Sequence, residues 1–224
     1  IRVILTFNVP ENFEIGSLDL PYPLEIRQNE TPLGFSSNHN QVFFEQGNDR
    51  AKTQYFCVLN PDIGLPAETF ANLLKYIGDS QPKLALVAPA VISAKGEIED
   101  SARKVPTPTI ILSKAVHLLF GMSRRTHVIP KNPDWVAGMF MLFRAEAFEN
   151  IGGFDERYHL YYEDVDICCR LRASGYGLQY CTEVKIIHDA RRSSHRELRY
   201  LFWHAISVLR FFFSSAARQC RNRH

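Results

Sequence analysis

The chain has 224 residues, 46% of them hydrophobic and 22% charged, with a formal net charge of +2. That length can bury a substantial core, and a near-neutral balance gives no bulk reason for a polyanionic partner. No apolar run approaches bilayer-spanning length, and no secretory signal pattern is visible in these residues. The five cysteines (Cys57, Cys168, Cys169, Cys181 and Cys220) form no CxxC pair, which fits reduced thiols in a cytosolic protein. The first residue is Ile1 rather than Met, directly inside a strand-like run, so the natural N-terminus is expected to be missing.

Residues Arg2 to Phe7 read as a buried strand stopped by Asn8-Val9-Pro10. A short second strand, Leu24 to Arg27, follows the loop framed by Pro21 and Pro23. The segment Gln28 to Asn40 is dense in Asn, Ser and Gly. Its amides and backbone N–H groups could hold a nucleotide, or simply cap a helix expected from Asn38 to about Glu45. Tyr55 to Leu59 reads as a central strand ending in Asn60-Pro61-Asp62. Phe70, Leu73, Leu74 and Ile77 then follow helical spacing behind Pro66. Asp62 at a strand's carboxyl end suits a ligand site. One carboxylate completed by substrate phosphates is a common way to hold Mg²⁺ or Mn²⁺. A turn aspartate beside proline remains the plainer reading of the same residues.

Leu84 to Ala88 reads as a core strand, and Gly96 to Asp134 as an insertion with one helix near Ile110 to Phe120. Trp135 to Phe143 reads as an apolar strand carrying Gly138, where a ligand or another backbone could approach closely. A short helix from Arg144 to Asn150 is closed by Gly152-Gly153. The stretch Glu163-Asp164-Val165-Asp166 puts three acids at the start of a helix running to Gly175, where the macrodipole favours negative charge. Asp166 stands four residues before Arg170, a salt-bridge spacing. The acids are either helix-start decoration or include a general base in a cleft.

Trp135-Val136-Ala137-Gly138, Gly152-Gly153-Phe154-Asp155, Glu163-Asp164-Val165-Asp166 and Gly175-Tyr176, in that order, resemble the family 2 glycosyltransferases of GT-A fold. Asn29-x4-Gly34-Phe35-x2-Asn38-x-Asn40 and Leu59-Asn60-Pro61-Asp62 look like that family's nucleotide loop and its DxD-type metal motif. The Asn-Pro-Asp form, Ser101-x-Arg103-x2-Pro106 and Trp203-His204 are similar to its rhamnosyltransferase branch, which builds bacterial surface polysaccharides such as O-antigen. The resemblance runs from the first residues to about Arg210. Arg2 to Phe7 matches the family's second strand, with Asn8 where an aspartate is usual, so the first strand and helix have no counterpart.

The resemblance implies an α/β GT-A fold over residues 1–190, a mixed, mostly parallel sheet flanked by helices. It implies Mg²⁺ or Mn²⁺ on Asp62 and His188, with Asn60, Asn29, Gly34, Asn38 and Arg103 on the donor side. Asp164 matches the general base, supported on the acceptor side by Glu163, Asp166, Trp135 and Gly138. A lone His188 after the strand Val184 to Ile187 could otherwise be structural. The implied reaction is inverting transfer of L-rhamnose from dTDP-rhamnose to a polyprenyl-diphosphate-linked glycan. Galactofuranosyl or other hexosyl transfer from a UDP-sugar is an alternative, and a non-catalytic sugar-nucleotide-binding or scaffolding remnant is another. A glycoside hydrolase would also pair carboxylates, but needs no metal or diphosphate site.

The tail, residues 191–224, combines Arg191, Arg192, Arg196, Arg199 and Arg210 with Leu198, Leu201, Phe202, Trp203, Ile206, Leu209 and Phe211 to Phe213. Such a basic amphipathic helix could lie on the inner face of the cell membrane, or pack on the domain with its arginines in water. No recognised module accompanies the arginines, so nucleic acid is not expected as a partner.

Overall fold

The computed structural model describes residues 1–10, 22–107, 113, 129–130, 132–189 and 198–221. β1 (Val3–Phe7) and β2 (Leu24–Gln28) pair in parallel as a two-stranded unit. The main sheet has the order β3-β8-β5-β9-β4, built from Tyr55–Leu59, Phe140–Arg144, Leu84–Ser93, Gly177–His188 and Ile63–Gly64. The fold is α/β with a mixed sheet, as expected, but the sheet is not mostly parallel. Only β5 and β9 run together within it, while β3–β8, β5–β8 and β4–β9 are antiparallel. Strand-forming patterns carry no direction, and β8 enters between β3 and β5 only after the long excursion from residue 96.

Period-two alternation along β5 explains the layers. Leu86, Ala88 and Ala90 face one buried cluster with Phe43, Phe56, Phe143 and Phe148, whereas Val87 and Val91 face another with Leu73 and Ile77. Those last two come from α2 (Thr69–Gly78). On the opposite side, Phe148 is the hub, its ring centroid 4.8 Å from Phe43, 4.9 Å from Phe56 and 5.1 Å from Phe143. Each such side chain, fully buried, contributes about 1.5–3 kcal/mol.

Several elements differ from their expected bounds. α1 (Phe35–Phe44) starts before Asn38, because Phe35 N–H donates to His159 O at 2.8 Å and anchors the first turn. A Cβ on Gly34 would stand 2.7 Å from that same oxygen, so glycine is required there. The expected strand Trp135 to Phe143 is broken at residues 137–139: β7 (Trp135–Val136) pairs with β6 (Ala102–Arg103) instead. α3 (Ala145–Asn150) ends at Gly152 and Gly153, both at positive φ. α4 (Glu163–Ala173) ends before Gly175, also at positive φ. The helix expected near Ile110 to Phe120 falls outside the described residues, residue 113 apart, as do Arg124, Arg125, Arg191, Arg192 and Arg196.

The tail forms α5 (Leu198–Phe213) and α6 (Ser215–Arg221). Phe211, Ala216, Ala217 and Cys220 enter the same buried cluster as Val165 and Cys169. One face of the tail is therefore part of the domain core. The other is not: Leu201, Phe202, Leu209 and Phe213 stay 59–82% exposed. None of the five cysteines is in a disulfide.

Candidate active site

The acids at the head of α4 follow an unusual backbone. Tyr161 and Tyr162 both adopt positive φ, 71° and 67°, a conformation costing roughly 1–3 kcal/mol for a residue with a side chain. α5 holds them there. His204 packs on both tyrosine rings at 5.4 and 5.7 Å, Phe211 packs on Tyr162 at 5.4 Å, and Ser207 Oγ donates to Leu160 O at 2.9 Å.

The resulting turn presents Asp164 to the broken strand. Its Oδ2 accepts from Gly138 N–H at 3.2 Å and its Oδ1 from Val165 N–H at 2.8 Å. Asp164 keeps some solvent contact although protein crowds it closely. Burial pushes its pKa up to about 6, against the pull of those N–H groups and of Arg103. Glu163 is buried, its Oε2 has no partner among the described residues, and burial reinforced by Asp164 raises its pKa well above the usual range. One acid kept neutral beside another poised to ionise is a pattern of acid–base sites.

Asp166 has a different position. It is 2% exposed and pairs with Arg170 at 2.6 Å, at the i, i+4 spacing anticipated from sequence. Arg170 in turn donates to Ile151 O and Gly153 O, both at 2.8 Å. This ion pair fastens α4 to the glycine turn after α3. Trp135 is nearly buried, donates Nε1–H to Lys104 O at 3.1 Å, and stacks with Arg103 at 5.4 Å. Arg103 is also held by Asp100, at 2.6 Å from Nε.

The second centre follows the carboxyl end of β3, which is an edge strand of the described sheet rather than a central one. Register of β4 on β9 brings Ile63 opposite His188, so Asp62 meets the histidine. His188 Nε2 stands 3.3 Å from Asp62 Oδ2, and its Nδ1 stands 2.7 Å from Glu99 Oε2. Glu99 was not anticipated from sequence; a single acid in a turn-like stretch, distant along the chain, carries no signal. Asp62 Oδ1 is buried without a partner among the described residues. An orphaned carboxylate oxygen beside an imidazole nitrogen fits a divalent cation completed by phosphate oxygens. Among the described residues no three His, Cys, Asp or Glu are grouped so as to hold a metal ion by themselves.

Two backbone contacts join the centres. Asn60 N–H donates to Met139 O at 3.0 Å, and the next residue back, Gly138, holds Asp164. Residues 137–139 thus lie between the two, and the break in the expected strand makes that possible. A Cβ on Gly138 would meet Phe35 Cζ at 3.1 Å and Asp164 Cβ at 3.8 Å.

The polar loop is knotted on itself. Asn8 Oδ1 accepts from Asn29 Nδ2 at 2.9 Å, Leu33 N at 2.8 Å and Asn38 Nδ2 at 3.0 Å. Asn29 also donates to Asn38 Oδ1 at 2.7 Å. The side chains of Asn29 and Asn38 therefore already have partners within the loop, and Gly34 is committed to the close approach of His159.

The chain has relatives in sequence and in fold. A family model described as the N-terminal domain of galactosyltransferase matches residues 124–196. Rhamnosyltransferase WbbL of Escherichia coli (strain K12) is 29% identical over 188 residues, covering 80% of this chain and 69% of that protein. The chain thus resembles a glycosyltransferase in sequence, and its fold is GT-A-like. The N-acetylglucosaminyl-diphospho-decaprenol L-rhamnosyltransferase of Mycobacterium tuberculosis (strain CDC 1551 / Oshkosh) is 27% identical over 62% of this chain, which spans about half (48%) of that protein. The structure of GalNAc-T7 with UDP, GalNAc and Mn²⁺ superposes with a TM-score of 0.52 at 18% identity, covering 75% of this chain and 32% of that one. At that identity the superposition speaks for the fold alone.

Proposed function

We propose that this chain is the catalytic part of an inverting glycosyltransferase that moves a sugar from a nucleoside diphosphate to a hydroxyl acceptor. The observation that carries the reading is the linkage of Asp62 and Asp164 through Asn60, Met139 and Gly138. A carboxylate able to meet a metal–diphosphate and a carboxylate poised near pH 6 stand on either side of one short turn.

Asp62 and His188 would hold the Mg²⁺ or Mn²⁺. When bound, that ion stabilises the charge developing on the departing diphosphate without a proton transfer. Asp164 takes the proton of the acceptor hydroxyl as its oxygen attacks the anomeric carbon from the face opposite the diphosphate, inverting the configuration. Gly138 N–H fixes the carboxylate's direction, and Trp135 with Gly138 bounds the acceptor side. Arg103 favours the ionised base. Neutral Glu163 adds no second charge beside it. Asn60 and the backbone of the polar loop face the donor side, with Asn29, Gly34 and Asn38 giving that loop its shape.

Likeness to the E. coli and mycobacterial rhamnosyltransferases supports L-rhamnose from dTDP-rhamnose as donor and a polyprenyl-diphosphate-linked glycan as acceptor. A hexosyl transfer from a UDP-sugar is the nearest alternative, since the low-salt glycan biosynthesis hexosyltransferase Agl10 of Haloferax volcanii is 26% identical over 157 residues. No helix among the described residues is long and apolar enough to cross a membrane. The exposed ridge of α5 suits a peripheral seat on the inner leaflet, where such an acceptor is presented.

The deciding experiment is a titration with dTDP-rhamnose and UDP-sugars, with and without Mn²⁺. Metal-dependent binding of one donor is expected, and turnover with a lipid-linked acceptor should fall by roughly 10²–10⁴-fold in Asp164→Asn while donor binding persists. Donor binding without turnover in the full-length protein would instead favour a non-catalytic remnant.

A further inference from the structure

His188 is bracketed by two carboxylates, Asp62 on Nε2 and Glu99 on Nδ1. A neutral imidazole carries one N–H and one lone pair, so it can donate to only one of them. The shorter contact, 2.7 Å, is to Glu99, and the longer, 3.3 Å, is to Asp62. With Nδ1–H donated to Glu99, the Nε2 lone pair faces a carboxylate oxygen. Two acceptors then oppose each other across a gap that a cation would satisfy. The fold builds Glu99 into position: the chain turns at Gly96 and runs back along the end of β5, where Glu99 N–H donates to Val91 O at 2.8 Å. The final residue of β5, Ser93, is in register with His188.

We infer that Glu99 is a positioning residue for the cation site: it fixes the Nδ1–H tautomer and ring direction of His188, leaving Nε2 to share a divalent ion with Asp62. This rests on the metal assignment made above. A hydrogen-bonded carboxylate behind a ligating histidine raises its basicity, and loss of such a partner weakens metal binding roughly 10–100-fold. Glu99 touches no substrate in this arrangement and acts only through the ring.

The test is Mn²⁺ titration followed by electron paramagnetic resonance, in the presence of UDP, on the full chain and on Asp62→Ala, His188→Ala, Glu99→Ala and Glu99→Gln. All three alanine variants should bind Mn²⁺ more weakly, Glu99→Ala by roughly 10–100-fold. Glu99→Gln, which retains an acceptor oxygen, should recover part of the loss. ¹⁵N NMR of the His188 ring gives a readout without metal: Nδ1 should be the protonated nitrogen in the wild type and lose that preference in Glu99→Ala. If Asp62→Ala and His188→Ala weaken binding and Glu99→Ala does not, the role of Glu99 is overturned and the metal site stands. Unchanged Mn²⁺ affinity in all three would remove the metal site itself, and the inference with it.

Discussion

Gly138 donates its backbone N–H to Asp164 Oδ2 at 3.2 Å, beside the tip of the Phe35 ring. A Cβ there would press on Phe35 Cζ at 3.1 Å, and Phe35 begins α1. Gly138→Ala is therefore expected to cost about 1–3 kcal/mol, as overpacked sites do, and to lower turnover more than donor affinity. Thermal melting and a kcat against KM comparison would check it; a variant with normal melting and normal kcat would mean that Phe35 yields freely.

Asp164→Asn should reduce transfer by roughly 10²–10⁴-fold, the usual contribution of a positioned base. In the native chain the acidic limb of kcat/KM is expected near pH 6, the value to which burial raises Asp164 from an ordinary 3.8. Below that pH the acid holds its proton and cannot accept another. The effect on stability has the opposite sign. An acid whose pKa is raised by folding favours the folded chain while protonated, and that advantage fades as pH rises from about 4 through about 6. A pH–rate profile and a pH–melting series on native and Asp164→Asn protein would test both limbs.

Removing one partner of the Asp166–Arg170 pair should be costly. Asp166 is 2% exposed, and Arg170 also carries two backbone carbonyls. Arg170→Ala leaves a buried carboxylate unpaired, and such losses cost about 3–5 kcal/mol. Asp166→Asn should cost less, because no buried carboxylate remains and the partly exposed Arg170 keeps its two carbonyl acceptors. Chemical denaturation would separate the two; midpoints equal to the native chain's in both variants would mean that the pair contributes no net stability.

Phe213 is 82% exposed on α5 and Leu209 is 59% exposed one turn before it. Phe213→Glu and Leu209→Glu should leave melting nearly unchanged, within about 0.5 kcal/mol for surface positions. Co-sedimentation with anionic vesicles should nonetheless fall. Undiminished sedimentation would exclude this ridge as the contact with lipid.

The chain order of the acids made much of the site legible. Asp62 follows a clear strand, Asp164 heads a clear helix, and the i, i+4 pair of Asp166 with Arg170 is local. What could not be read depends on partners far away in the chain. Glu99 meets His188 only because β5 and β9 run in parallel register. Asn38 looks like a helix start, yet α1 begins at Phe35 because His159 O, contributed by the segment before α4, captures its N–H. Asn40, equally polar in the sequence, is buried, with its amide bonded to the backbone of Phe154. For α5 the packing alternative holds on one face, through Phe211 and Ser207, while the opposite face stays exposed.

That two-sidedness sets a length scale. The inner side of α5 grips the two left-handed tyrosines just ahead of Asp164 through His204 and Phe211. Its outer side exposes the ridge of Leu201, Leu209 and Phe213. A helix with its side chains is about 10–12 Å across. Anything that settles on the ridge would therefore rest about one helix diameter from the turn that presents Asp164.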